Sequence, residues 1–214
     1  LVQDDVGKAI TVTASYTDGF GNDHSKTSAS TAAVTNVNDD PTGTVIITGT
    51  AAEVQQLTVA NTLADEDGIG ELTHEWNRDG VAIDGATGAT YTLTQADVGS
   101  VITVTASYTD GADTAESITS AGTVAVTNVN DDPTGSVTIT GAVVEGQTLT
   151  ASNTLADEDG LGELTYEWKR DGVAIDGSAG TTYTLVQADV SKAITVTASY
   201  TDGFGTAESV TSTA

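Results

Sequence analysis

Apolar and polar residues alternate with a period of two through most of the chain, in short runs separated by turn residues, which is the signature of half-buried β-strands. Within residues 43–127, "TVIITG" (44–49) reads as a first strand, and "QLTVANT" (56–62) places Leu57 and Val59 on one face of a second. "ELTHEWNRDG" (71–80) puts Leu72, His74 and Trp76 on one face before a turn at Asp79-Gly80. "VAIDG" and "TYTL" supply short middle strands, and "VITVTASYTDG" (101–111) aligns Ile102, Val104, Ala106 and Tyr108. "ESITSAGTVAV" (116–126) completes the set. No segment sustains a helical period. About seven strands with turns every 8–12 residues predict an all-β fold built on antiparallel sandwiches.

The pattern recurs. "VTNVNDDPTG" begins at Val34 and again at Val126, a period of 92 residues; Trp76 returns as Trp168, Tyr91 as Tyr183, and "ITVTASYTDG" stands at 10–19 and 194–203. A unit of that size is close to the ~100 residues of one β-sandwich domain, so each copy can bury its own core. The expected organisation is the C-terminal part of a repeat at 1–35, a linker at 36–42, a complete repeat at 43–127, a second linker at 128–134 and a nearly complete repeat at 135–214. The chain opens on Leu1 rather than Met, as expected of a piece of a longer array.

Composition narrows the chemistry. Acidic residues outnumber basic ones 31 to 6, for a formal charge of −25, which opposes binding to nucleic acid or an anionic membrane and suits divalent cations. Charged residues amount to only 17 %, and the strands are plainly patterned, so the acidity is not that of a disordered chain. The absence of cysteine removes disulfide staples and thiolate chemistry alike. No apolar run approaches the ~18 residues of a membrane span.

"EWNRDGVAIDGATGATYTLTQADVGSVITVTASYTDG" (75–111) resembles the bacterial immunoglobulin-like repeats of giant surface adhesins, in which a Trp on the third strand is followed by R-D-G, I-x-G-A, T-Y-T-L and A-D-V-G. The resemblance implies tandem immunoglobulin-like sandwiches joined by short calcium-binding linkers. Trp76 and Trp168 are then expected to pack on the second and sixth strands. The Asp of "ADVG" (Asp97, Asp189, and Asp5 in "DDVG") reads as a turn or cap residue.

In such a sandwich the loop after the second strand and the loop after the sixth lie at the pole where the first strand begins. "ADEDG" (64–68 and 156–160) and "YTDG" (Asp110, Asp202) therefore fall beside the linker entering their own repeat. Around the second linker this gathers Asn128, Asn130, Asp131 and Asp132 with Asp157, Glu158, Asp159 and Asp202. Glu53, on the loop between the first two strands of the preceding repeat, joins them from the other side. The first linker repeats the set with Asn36, Asn38, Asp39, Asp40, Asp65, Glu66, Asp67 and Asp110. Like charges a few ångströms apart repel by about 1 kcal/mol per pair even in water. Oxygen ligands without His or Cys select a hard cation, and their number and flexible geometry favour Ca²⁺ over Mg²⁺.

The linker is also similar to the cadherin interdomain motif D-x-N-D-N-x-P. Asn38-Asp39 and Asn130-Asp131 match its centre; Asn36 and Asn128 replace the leading Asp, and Asp40 and Asp132 replace the second Asn. The proline comes one place early, and the cadherin L-D-R-E segment has no counterpart. Asp65-x-Asp67 and Asp157-x-Asp159 match the cadherin D-x-D. Together the resemblances imply an extracellular stalk: an extender segment of a large Gram-negative adhesin of the RTX and biofilm-associated type, exported by type I secretion to the bacterial cell surface. Its partners are the neighbouring repeats of the same chain, and its distal ligand lies elsewhere. The alternative is an adhesion module in its own right, homophilic or glycan-binding.

Catalysis finds no support. His24 and His74 are not repeated, no base stands in register with the many Ser and Thr residues, and the glycines form Asp-Gly turns rather than a phosphate-binding loop. A non-enzyme is expected.

Overall fold

The computed structural model describes residues 1–214, as two compact units, Leu1–Val126 and Thr127–Ala214. The first unit opens with a 3-10 turn (Gln3–Asp5) and a two-stranded hairpin of β1 (Thr13–Thr17) and β2 (Asp23–Thr27). The rest of it is a sandwich. One sheet runs β3 (Val45–Thr48), β4 (Gln56–Asn61), β7 (Thr90–Thr92); the other runs β6 (Val81–Ala82), β5 (Thr73–Arg78), β8 (Ile102–Thr109), β9 (Ala115–Thr119). Every ladder is antiparallel.

The second unit repeats the plan with β10 (Val137–Thr140), β11 (Thr148–Asn153) and β14 (Thr182–Thr184) in one sheet. Its other sheet holds β13 (Val173–Ala179), β12 (Thr165–Arg170), β15 (Ile194–Thr201) and β16 (Ala207–Thr211). The all-β expectation holds, and the alternation decides which face is buried. Ile102, Val104 and Ala106 are 0 % exposed, with Trp76 laid across them at 0 %. Each indole also has its N–H satisfied: Trp76 Nε1 donates to the Gly88 carbonyl at 2.9 Å, and Trp168 Nε1 to Gly180 at 3.0 Å.

Two expectations on strand length fail, each for a local reason. The last strand was expected over 116–126, but its ladder stops at Thr119. Beyond that point hydroxyls stand in for backbone carbonyls: Val104 N donates to Ser120 Oγ at 3.0 Å and Ile102 N to Thr123 Oγ1 at 3.1 Å. The chain rejoins at the parallel bridge of Val98 with Val126. The middle strand "VAIDG" shrinks to Val81–Ala82 in the first unit yet extends over Val173–Ala179 in the second. There Ser178, in place of Ala86, donates its hydroxyl to the Ile175 carbonyl at 2.6 Å and holds the turn against β12.

The end of the repeated decapeptide has a backbone reason. Gly43 sits at φ +93°, and a Cβ there would lie 2.2 Å from the Thr62 carbonyl oxygen. Thr42 and Ala64 bond reciprocally at 2.8 and 3.0 Å, so linker and loop are zipped together at this point. Gly43→Ala is expected to cost about 2 kcal/mol or more, because the strained φ and the steric clash add. Hydrogen exchange of the β4 and β8 amides reads this directly; Gly135, with the same geometry (φ +90°, 2.2 Å from Thr154 O), predicts an equal loss in the second unit.

Candidate metal centre

Asp65, Asp67 and Asp110 come together at the pole where β3 begins, with one oxygen of each within 4.8 Å of the others. The loops that carry them are tied backbone to backbone. Gly111 N donates to the Asp67 carbonyl at 3.0 Å, an approach only glycine permits, since a Cβ on Gly111 would meet that oxygen at 2.6 Å. Each carboxylate is then aimed by its own donors. Asp65 accepts from the Asp67 N–H at 2.8 Å and from the Tyr108 hydroxyl at 2.6 Å. Burial, and then the Asp65 charge, push the Tyr108 phenol above its usual range, so it stays a donor.

Asp67 is held from both flanks. Its Oδ2 accepts from the Asp39 N–H at 2.9 Å, and its Oδ1 from Gln3 Nε2 at 2.6 Å. The Asp39 amide leads in keeping this carboxyl below the ordinary range; burial works against it, and the Asn36 and Gln3 side chains add to it. Asp110 is different. Its Oδ1 accepts two amides, Ala112 at 2.8 Å and Thr114 at 2.7 Å, but its Oδ2 is buried with no partner, on a side chain whose residue is 6 % exposed. Asn36 Oδ1 is a second buried acceptor without a donor.

The other predicted residues of the first junction have distinct places. The Asn38 amide donates to Glu116 Oε1 at 2.9 Å, while Asp40 and Glu66 are exposed. Glu53 lies in the turn between β3 and β4, at the pole opposite the trio, and is only 4 % exposed.

The second unit repeats most of these hydrogen bonds. Asp131 N donates to Asp159 Oδ2 at 2.8 Å, Asp159 N to Asp157 Oδ1 at 2.9 Å, the Tyr200 hydroxyl to Asp157, and Asn130 to Glu208 at 2.9 Å. Asp202 Oδ1 accepts from Phe204 and Thr206 at 2.8 Å, and again Asp202 Oδ2 and Asn128 Oδ1 are buried without partners, together with Asp131 Oδ2. Burial raises the Asp202 carboxyl, and the Thr206, Phe204 and Gly205 amides more than offset it, so the group stays ionised. Asp132 and Glu158 are exposed.

The partial repeat at residues 1–35 differs at this position. Asp18 occupies the position of Asp110, but here Oδ2 accepts from Asn22 Nδ2 at 3.1 Å and pairs with His24 Nε2 at 3.1 Å. Thr114 and Glu116 stand at those two positions in the complete copy, and neither fills that role. Asp110 and Asp202 thus keep one oxygen free where Asp18 has both engaged.

Three carboxylates at this spacing repel by roughly 1 kcal/mol per pair in water and by about 3–4 kcal/mol at an effective dielectric constant of 20. A buried acceptor left open costs a further ~1–3 kcal/mol. One hard cation relieves both, and the donor set suits calcium: oxygen only, mixed carboxylate and amide, on loops able to adjust.

Sequence reasoning missed three participants. Tyr108 was assigned to the core and Glu116 was not singled out; both were findable, because Tyr108 faces Glu116 across the β8–β9 ladder immediately before the Asp110 turn. Gln3 carried no signal, since its partner is 64 residues away.

No protein-family model matches this sequence, and no curated protein does. Solved structures similar to the chain include two adhesin segments. One is a Ca²⁺-stabilized adhesin that helps an Antarctic bacterium reach out and bind ice, with 16 % identity over 96 % of this chain and 55 % of the other, at a TM-score of 0.33. The second is a tetra-tandem repeat in the extending region of a large adhesion protein, with 18 % identity over 98 % of this chain and 56 % of the other, at a TM-score of 0.26. The chain thus spans little more than half the length of either.

Proposed function

We propose that this chain is an extender segment of a large bacterial surface adhesin, in which Ca²⁺ bound at each junction between repeats stiffens a flexible string of sandwiches. It performs no catalysis; it holds a distal binding domain away from the cell, outside the outer membrane. The observation that carries this reading is the buried, unpartnered Oδ2 of Asp110 beside Asp65 and Asp67, repeated as Asp202 Oδ2. A carboxylate oxygen kept from water with no donor is stable only if something positive sits there.

The residues assigned to the first ion are Asp65, Asp67 and Asp110, with Asn36 from the linker; Asp157, Asp159, Asp202 and Asn128 are their counterparts in the second, joined there by Asp131. Glu53, buried on the pole turned away from the trio, is not among the ligands of this ion. The exposed Asp40, Glu66 and Asp132 add field rather than fixed ligation. The ion supplies charge neutralisation and a rigid bridge, while the protein supplies the pre-aimed oxygens.

The test is small-angle scattering of the whole chain in about 1 mM calcium, the range in which extracellular modules bind, and again in excess EGTA. The maximum dimension and the stiffness are expected to fall on calcium removal and to return on its restoration. Identical profiles, with no calcium taken up in a parallel titration, would reduce the chain to an inert acidic spacer.

A further inference from the structure

Gln3 reaches the trio from the partial repeat at residues 1–35. It begins the 3-10 turn Gln3–Asp5, and its side-chain amide lies 2.6 Å from Asp67 Oδ1. Around it is a cleft of about 410 Å³, lined by Val2, Gln3 and Val6 of that turn, by Val37 and Asp39 of the linker, and by Glu66 of the loop. The same residue recurs as Gln95 and Gln187, each opening the same turn of its own copy.

We propose that Gln3 is a cation ligand of the first junction, the oxygen by which the preceding repeat is tied to the ion; this rests on the calcium reading above. The chemistry is that of a primary amide, with a carbonyl oxygen and two N–H donors on one planar group that turns over by rotation about its last bond. Facing bare carboxylate, the amide presents N–H to Asp67. Facing a hard cation on Asp67, it presents its carbonyl oxygen, which calcium accepts readily from Gln and Asn. An ion held only by the linker and by Asp65, Asp67 and Asp110 stiffens the linker against the following repeat. Adding Gln3 makes the ion span three pieces of chain, which is what a brace across the junction requires. Glutamine adds this bond without adding charge to a site that already holds three carboxylates.

The alternative is that Gln3 is only a hydrogen-bond donor to Asp67. The two roles predict opposite signs. A donor competes with calcium for Asp67 Oδ1, so its removal leaves calcium affinity unchanged or raises it. Removal of a ligand lowers affinity. The experiment is calorimetric calcium titration of the full chain carrying Asp202→Asn throughout, so that the first junction reports, with Gln3, Gln3→Met and Gln3→Glu compared. Methionine keeps length and neutrality without a carbonyl oxygen. The expected result is a roughly tenfold weaker first-junction affinity for Gln3→Met, with affinity regained in Gln3→Glu, and unchanged thermal unfolding of all three in EGTA as the folding control. Unchanged or tighter binding by Gln3→Met overturns the inference while leaving the calcium reading intact. No calcium uptake by the chain with Gln3 in place, matched by none in the unmodified chain, removes both.

Discussion

Replacing Asp97 with alanine is expected to destabilise the first complete repeat by about 3–5 kcal/mol, the range for breaking a buried ion pair on one side only. Asp97 is 0 % exposed, and both of its carboxylate oxygens are engaged by donors. Arg78 reaches Oδ1 through Nε at 2.8 Å and Nη2 at 2.7 Å, while Oδ2 accepts from the Tyr91 hydroxyl at 2.9 Å, the Thr94 N–H at 2.8 Å and Thr94 Oγ1 at 3.0 Å. The residue thus latches the 3-10 turn to both sheets, since Arg78 ends β5 and Tyr91 lies in β7. Alanine strands a guanidinium and a phenol at the edge of the Trp76 core. Asparagine, which keeps one acceptor but turns an amide toward Arg78, should cost about half as much. Hydrogen exchange of the β5 and β8 amides measures the loss, with β12 and β15 of the unmodified copy as reference in the same molecule.

The latch also sets a pH dependence. Burial pushes the Asp97 carboxyl up, but the Thr94 amide, Arg78 and Tyr91 outweigh it, and the group lies below its ordinary value. A carboxyl depressed in the folded state adds stability above the unfolded value, near pH 4, and loses it as pH falls through the folded one. Acid is therefore expected to weaken the repeat progressively below about pH 4, and Asp97→Ala should lack this component. Equal acid sensitivity in both proteins would place the titrating groups elsewhere.

What could be read from the sequence divides along physical lines. Alternation in "VITVTASYT" fixes which residues of β8 are buried, because a strand has only two faces, and Ile102, Val104, Ala106 and Tyr108 are all inside. The pole shared by Asp65, Asp67 and Asp110 followed from topology alone, because an antiparallel sandwich leaves few places for its loops. Asp97 was read as a turn residue, and so it is: its carboxylate accepts the Thr94 N–H. Its pairing with Arg78, 19 residues earlier, required knowing that the end of β5 and the turn before β8 meet in space. Short-range spacing cannot supply that. The last strand failed for the same kind of reason, since nothing in "SAGT" announces that its hydroxyls replace carbonyls along β8. Individual ligands were the least legible. Asn36 and Asn38 are two residues apart with the same side chain, yet one keeps a buried free oxygen beside Asp67 and the other gives its amide to Glu116.

Asp110→Asn is expected to act with opposite signs in the presence and absence of calcium. Asparagine keeps Oδ1, so the bonds from the Ala112 and Thr114 amides survive and the loop retains its shape. What changes is Oδ2, which becomes an NH₂ pointing at Asp65 and Asp67. In EGTA this replaces two like-charge repulsions by donors, and the repeat should gain about 2 kcal/mol. In calcium the same NH₂ faces the ion. Binding at a hundredfold excess over the dissociation constant stabilises the unmodified protein by about 2.7 kcal/mol, and most of that increment should vanish in Asp110→Asn. Exchange rates of the β8 and β9 amides, measured for both proteins in both buffers, give the four values needed. Equal destabilisation in EGTA and in calcium would mean that Asp110 Oδ2 serves the fold through contacts of its own and that no ion is held there, because relief of repulsion and loss of a ligand cannot share one sign.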